Sequence, residues 1–514
     1  MTIPDPGAPY GLKTTLKVGM EIHVELDTRS KMWTDAPNVA HPDYLDSEPN
    51  TLLSPVVIGM PGTLPVINEQ AVEMSILVGL ALNCEIAKHT KWDRKSYWYP
   101  DLPKNYQISQ YDQPICGEGF IDIPAKPGDE PQGESPDGLK RIRITRAHLE
   151  EDAGKLLHEL PGGGFCDGSL VDLNRAGTPL LEIVTEPDFD SADQAVTFGQ
   201  MLRDICRHLG VTQGVMQKGH MRFEPNINVL IEKDGETFKT PVVEIKNLNS
   251  FKAVHGAILH EHERQVEQWL ADGKVMGARA KSTRGWDDVN LVTTPQREKE
   301  DADEYRYFPD PDLCEVEVTD EMMDRVKAKM VELPLSRRRR YVDELGLKQN
   351  DAQSILDEPA TTRFYEAILA CGADAISTAK LLRNNLSKLA NEKGVLPDAL
   401  GVSPAQVADV VSLTKSNKVG SSAVDKLLAL CAESDGSAES LADANGLMQV
   451  TDDNALEAWV DEVLANPKMQ KSVDDVKAGK DKAINALLGQ VMRLSKGSAN
   501  PQAVTAMIKG KLQG

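Results

Sequence analysis

Five stretches of this chain alternate apolar and polar side chains, and they constrain the fold more than any other feature. They are GMEIHVEL (19–26), RIRITR (141–146), PLLEIVTE (179–186), HMRFEPNINVLIE (220–232) and TPVVEIKN (240–247). Side chains alternate across a strand, so each stretch is expected to be a strand with one buried face. In the first, Met20, Ile22, Val24 and Leu26 point one way, while Glu21, His23 and Glu25 point the other. The polar faces of the others carry Glu182 and Glu186; Arg222, Glu224, Asn226 and Asn228; and Glu244 with Lys246. Pro225 inside the fourth predicts a bulge or an edge there. Strands with one polar face and separate helices indicate an α+β sheet domain.

The helices have clear signals. Ser191 and Gln194 form a capping-box pair, Val196, Met201, Leu202, Ile205 and Leu209 a stripe, and Gly210 a stop. From about residue 320 the periodicity becomes helical, opening on SRRRRY (336–341) and running through DAISTAKLLRNNLSKLANEKG. Near the end, Ile484, Leu487, Leu488, Val491 and Leu494 share a face, Gly497 stops that helix, and Asn500 with Pro501 starts another. AKPGDEPQGESPDG (125–138) reads as a surface loop. The expected division is a sheet domain at 1–310, an all-α domain at 311–412 and a small all-α tail domain at 413–514.

All ten histidines lie between His23 and His262, which places the chemistry in the first part. At 514 residues, two to four domains are expected. There is no run of about 18 apolar residues to span a membrane, and MTIPDPGAPYGLK lacks a signal-peptide layout. The seven cysteines contain no CxxC pair, which argues against a cysteine zinc site and against a disulfide framework. A cytoplasmic location is expected. The formal net charge of −22 opposes nucleic-acid binding, but residues 470–514 carry eight basic and only three acidic side chains. A solvated helical surface accounts for that equally well.

The polar sheet faces pose the chemical question. One reading is a wet surface. The other is a metal site, because clustered carboxylates repel unless a cation neutralises them. Hard oxygen ligands suit Mg²⁺, whereas imidazole is softer, leaving His23 between a ligand and a substrate-contacting group. RAHLEEDAGK (146–155) adds His148, Glu150, Glu151 and Asp152. GxxxxGK[ST], HExxH and GxSxG are all missing. Any nucleotide would therefore need a carboxylate-and-metal cradle on a sheet. The aromatic-rich WDRKSYWYPDLPKNYQISQYDQP (92–114), with Lys95 and Lys104, reads either as a phosphate- or base-contacting loop or as a packed surface loop.

In order along the chain stand GMEIHVEL, DRKSYWYPDLPKNYQISQYDQPI, RAHLEEDAGK, SLVDLNRAGTPLLEIVTEPD, MRFEPNINV, EIKNLNSF, RGWDD and EYRYFPDPDL. With GQVMRLSKGSANPQAV in the tail, these blocks closely resemble the GatB family, the B subunits of aspartyl/glutamyl-tRNA(Asn/Gln) amidotransferases. The resemblance implies a glutamine-synthetase-like cradle that uses ATP and Mg²⁺ to phosphorylate glutamate or aspartate mischarged on tRNA(Gln) or tRNA(Asn). Ammonia from an A subunit then forms the amide, a C subunit completes the complex, and the helical and tail domains hold the tRNA. It implies Glu21, His23, Glu151 and Glu182 as catalytic and metal-site residues. Glu224 stands at a further metal position that is often Asp, one methylene shorter. Lys95, Lys104, Arg222 and Asn226 are expected to contact the nucleotide, and the Arg337–Arg340 run the tRNA. Some relatives carry a cysteine zinc site; without the cysteine pair, no zinc is expected here. A non-catalytic tRNA scaffold is the alternative, and a stand-alone metal-dependent hydrolase is a third reading, disfavoured by the missing motifs.

Overall fold

The computed structural model describes residues 5–124, 138–160, 162–277, 281–298, 305–449, 453–495 and 497–513. The loop expected at 125–138, save Gly138, and Lys496 of the basic tail lie outside them. The chain divides into two compact units, Met1–Pro334 and Leu335–Gly514.

The first unit is mixed α/β. Its strands used below are β1 (Lys13–Glu25), β2 (Asp93–Ser96), β3 (Tyr106–Ser109), β4 (Gly119–Pro124), β5 (Leu139–Glu151), β6 (Pro179–Thr185), β7 (Met221–Lys233), β8 (Glu236–Lys239), β9 (Val243–Lys246), β10 (Ser282–Asp287), β11 (Val292–Glu298) and β12 (Phe308–Pro309). Its helices are α1 (Glu69–Ala81), α2 (Ala192–His208), α3 (Phe251–Asp272) and α4 (Asp320–Lys327). Among the described residues, nine strands form one sheet in the order β11-β10-β9-β7-β1-β6-β5-β4, with β8 paired to β7. Every pairing is antiparallel except β9 with β10. A small β12-β2-β3 sheet accompanies it.

The alternation does what the sequence requires. Leu16, Val18, Met20, Ile22 and Val24 of β1 are buried in one continuous core with Phe198, Leu202 and Val254 of the helices. The opposite face of β1 carries Glu21, His23 and Glu25. Ser191 caps α2 by accepting the Gln194 N–H at 3.3 Å, and Gln194 Oε1 accepts the Asp190 N–H at 3.1 Å. The buried stripe differs from the expected one. It runs through Ala195, Phe198, Leu202, Ile205 and Cys206, while Val196, Met201 and Leu209 are only half-buried. Gly199 explains the close seating, since a Cβ there would stand 2.8 Å from the Phe251 ring.

Pro225 makes no bulge. The β1–β7 register runs unbroken through Met20–Pro225, and the β7–β9 ladder covers only Asn226 and Ile227, stopping at the residue that lacks an N–H.

The segment following β1 is tied down by amides. Fully buried Asn38 donates to the Leu26 and Thr28 carbonyls at 2.8 and 3.0 Å and accepts the Thr178 hydroxyl at 3.0 Å. Asn38→Ala would leave these groups unpaired in the interior. It is expected to destabilise the first unit by about 1–3 kcal/mol, read as a lower urea midpoint.

The expected boundary at 310 falls short of Pro334, because Val326 of α4 is buried in the first core and Arg325 and Lys329 pair with Glu73 at 2.9 and 2.6 Å. The second unit is helical. Its buried side chains form two clusters, one from Tyr341 to Ala442 and one from Leu456 to Ile508. The expected division at 413 cuts the first cluster, where Val411, Leu413, Val419 and Leu427 pack together. Ile484, Leu487 and Val491 are buried in the second cluster, and Asn500 caps the last helix through the Gln502 and Ala503 N–H groups. The arginine run is partly consumed inside this unit: Arg337 and Arg340 both pair with Glu366, at 3.3 and 2.6 Å. In the tail, Lys480 pairs with Asp475, and Lys511 with Glu457 and Asp461.

Candidate active site

Register places four ionisable side chains on one rung of the sheet. His148 of β5 stands opposite Glu182 of β6, Glu182 opposite His23 of β1, and His23 opposite Arg222 of β7. Directly opposite residues share a face, so the rung reads His–Glu–His–Arg across four strands. Glu21 and Glu224 form the next pair. These groups floor a cleft of about 770 Å³, walled by Lys95, Tyr97, Gln107, Gln110, Tyr111, Arg146, Tyr305 and Tyr307. Tyr111 and Tyr307 stack at 4.3 Å, and the Lys95 ammonium lies 5.1 Å from the Tyr305 ring centre.

Glu182 is the electrostatic centre. His23 Nε2 approaches it at 3.5 Å and His148 Nε2 at 3.7 Å. Burial by itself would lower the His23 pKa; the Glu182 hydrogen bond and the Glu224 and Glu182 charges outweigh burial and raise it to about 9. His148 goes the other way, lowered to about 4 by burial. Burial and then the Glu182 charge lift Glu150 to about 7. Glu182 is held well below the usual carboxylate range despite its burial, by His148 and His23. Asp152 is likewise held low against burial by Arg175 and Arg222, the latter donating to it at 2.6 Å.

Among the described residues, three groups of donor atoms each lie within 4.8 Å of one another: Glu21–His23–Glu182, His148–Glu150–Glu182 and Glu21–Glu224–Glu244. They share Glu21 and Glu182, so they form one continuous belt. The buried Nδ1 atoms of His23 and His148 have no hydrogen-bond partner among the described residues. A belt of carboxylate oxygens with imidazole nitrogen fits a hard divalent cation such as Mg²⁺ or Mn²⁺.

Of the expected site residues, Glu21, His23, Lys95, Glu182, Arg222 and Glu224 line the cleft. Glu151 does not. It has the parity of core-facing Leu149, accepts the Ile108 N–H at 3.0 Å and is ion-paired to Lys104, so that pair lies away from the cleft floor. Glu150 and Asp152 occupy the cleft face instead. Asn226 is opposite Glu244 but is not among the lining side chains. Glu151 was implied by the resemblance; the alternation itself carries a different signal, since Ala147 and Leu149 mark the core face and put His148 and Glu150 on the other. Tyr305 and Tyr307 reach the cleft only through tertiary folding.

Residues 16–324 match the GatB/GatE catalytic domain, and residues 363–512 match the GatB domain. The chain belongs to the GatB family. It is 40% identical over 511 residues to the B subunit of the aspartyl/glutamyl-tRNA(Asn/Gln) amidotransferase from Synechococcus elongatus, covering 99% of each chain. The protein of the same name from Thermosynechococcus vestitus is 40% identical over 513 residues, covering 99% of this chain and 98% of that one. That from Caldicellulosiruptor saccharolyticus is 39% identical over 499 residues, covering 96% and 98%. Among the described residues, no helix is long and apolar enough to cross a membrane.

Proposed function

We propose that this chain is the B subunit of a tRNA-dependent amidotransferase and that the cleft is its carboxylate-activating site. The observation that carries the site assignment is the belt of acids and imidazoles on one sheet face, within a chain that is family-matched over nearly its whole length. The substrate is glutamate or aspartate mischarged on tRNA(Gln) or tRNA(Asn). A side-chain carboxylate oxygen bonds to the γ-phosphorus of ATP and ADP leaves. Ammonia then attacks the carbonyl carbon and phosphate leaves, giving the amide. The first unit is a cradle of the glutamine-synthetase-like kind, the helical unit holds the tRNA, an A subunit supplies ammonia, and a C subunit joins them in the cytoplasm.

Glu21, His23 and Glu182, with Glu224 and Glu150 beside them, would hold Mg²⁺. A bound Mg²⁺ neutralises phosphate charge and fixes the phosphates in line. The chain's own contribution is positioning and electrostatics, with no protein nucleophile required. Lys95 offers its ammonium beside the rings of Tyr97 and Tyr305. Arg222 is oriented by Asp152.

The scaffold alternative makes the opposite prediction for one variant. The complex with A and C subunits, given Glu-tRNA(Gln), Mg²⁺ and γ-labelled ATP without glutamine or ammonia, is expected to transfer phosphate only when the tRNA is charged. Glu21→Gln is expected to lose that transfer and keep tRNA binding. Equal transfer in both would remove Glu21 from the site. No transfer in either, with tRNA retained, would favour the scaffold.

A further inference from the structure

Strand β5 carries three arginines whose partners differ. Arg141 is ion-paired with Asp122 at 2.9 Å and Arg143 with Asp188 at 2.7 Å. Arg146 has no ion pair or hydrogen bond among the described residues, its Nε is buried without a partner, and it lines the cleft. The sheet is locally distorted to put it there. Ile144 pairs with Thr185 and Arg146 with Val184, so two steps on β5 match one on β6. Before this bulge the core-facing residues are Ile142 and Ile144; after it they are Ala147 and Leu149. The extra residue, Thr145, reverses the parity of the strand. Without it Arg146 would point into the core; with it, Arg146, His148 and Glu150 face the cleft.

The cleft is also lined by Lys95, Arg222, Lys246 and Lys281, and two of these are held by carboxylates. Arg222 is tied to Asp152, and Lys246 lies on Glu224 and Glu244. Lys95 and Arg146 are the lining cations of β2 and β5, beside the acid belt of Glu21, Glu150, Glu182, Glu224 and Glu244. A metal–polyphosphate needs this division, with carboxylates toward the cation and donors toward the phosphate oxygens. A guanidinium fork matches two phosphate oxygens, and leaving a guanidinium in a cleft without a carboxylate is costly unless a ligand supplies the anion.

We propose that Arg146 is a phosphate-anchoring residue of this cleft, turned onto its wall by the bulge at Thr145 to grip the polyphosphate of a bound nucleotide. This rests on the reading of the cleft as the ATP site. The test uses the full chain in complex with its A and C subunits, with ADP plus Mg²⁺ and adenosine as calorimetric probes. Arg146→Gln is expected to weaken ADP binding about 10- to 100-fold, the worth of a charged hydrogen bond. Adenosine binding should not change, and in turnover the KM for ATP should rise more than kcat falls. Arg146→Lys keeps the charge without the fork and should recover part of the ADP affinity; it decides the case if the glutamine variant does not fold. Unchanged ADP affinity, a parallel loss of adenosine binding, or a loss confined to charged tRNA would overturn the assignment of Arg146 alone. A wild-type complex that binds no ADP with Mg²⁺ would remove the ATP-site reading and this proposal with it.

Discussion

Glu182→Gln is expected to lower tRNA-dependent phosphate transfer by about 10²- to 10³-fold, the scale seen when one preorganised electrostatic group is removed from an active site. Glu182 belongs to two of the three candidate ligand groups found among the described residues and stands between the half-buried His23 and the buried His148. Its removal takes a ligand from the belt and, from His23, a hydrogen bond and one of the two carboxylate charges that raise its pKa. Metal-free protein provides an independent readout. The folded pKa of His23 is raised above its ordinary 6.5 to about 9. The stability this contributes is present in full below pH 6.5 and is lost as pH rises through about 9. Urea midpoints of metal-free wild type should therefore fall across that window, and in Glu182→Gln the fall should be reduced. A variant that keeps wild-type transfer would dissolve the site as drawn. A variant that loses transfer while its pH profile is unchanged would refute the Glu182–His23 coupling.

Glu151→Gln is expected to act on stability instead, costing about 3–5 kcal/mol, the usual result of removing one partner from a buried ion pair. Glu151 is 3% exposed and serves both Lys104 and the Ile108 N–H. Fully buried Lys31 is close by; burial lowers its pKa to about 7 while the Glu151 charge opposes that shift. Neutralising Glu151 strands Lys104 and removes the main acid acting on Lys31. The double change Glu151→Leu with Lys104→Met removes both charges and should recover most of the lost stability, since an apolar replacement avoids desolvating an ion. Chemical denaturation of the three proteins measures this directly. If Glu151→Gln kept wild-type stability and lost phosphate transfer, Glu151 would return to the chemistry and its packing role here would fall.

These neighbouring glutamates show how far the sequence could be read. Alternation over GMEIHVEL and PLLEIVTE was sufficient to put Glu21, His23 and Glu182 on one side of their strands, because a strand has only two faces. The same logic falters across 141–151, where Thr145 bulges and reverses the parity. Counting from the arginines before the bulge gives the wrong face, and only the apolar pair Ala147 and Leu149 restores it. The α2 stripe was likewise shifted. A spacing of three or four residues defines a helix, but packing of Phe198 and Gly199 against the sheet selects the face that is buried.

The sequence by itself determined that there would be a one-sided sheet, a helical second part and outward carboxylates around His23. These follow from side-chain period, caps and turn residues, which act over a few positions. Its long blocks also determined the family. Only the tertiary structure decided which acids meet: that Glu182 stands between two histidines, that Glu150 rather than Glu151 enters the cleft, that Lys104 is spent on a buried pair, and that Arg146 stands on the wall without one among the described residues. Those outcomes depend on register between strands far apart in the chain. Register is set by the summed burial of whole faces, and a single bulge can reverse it.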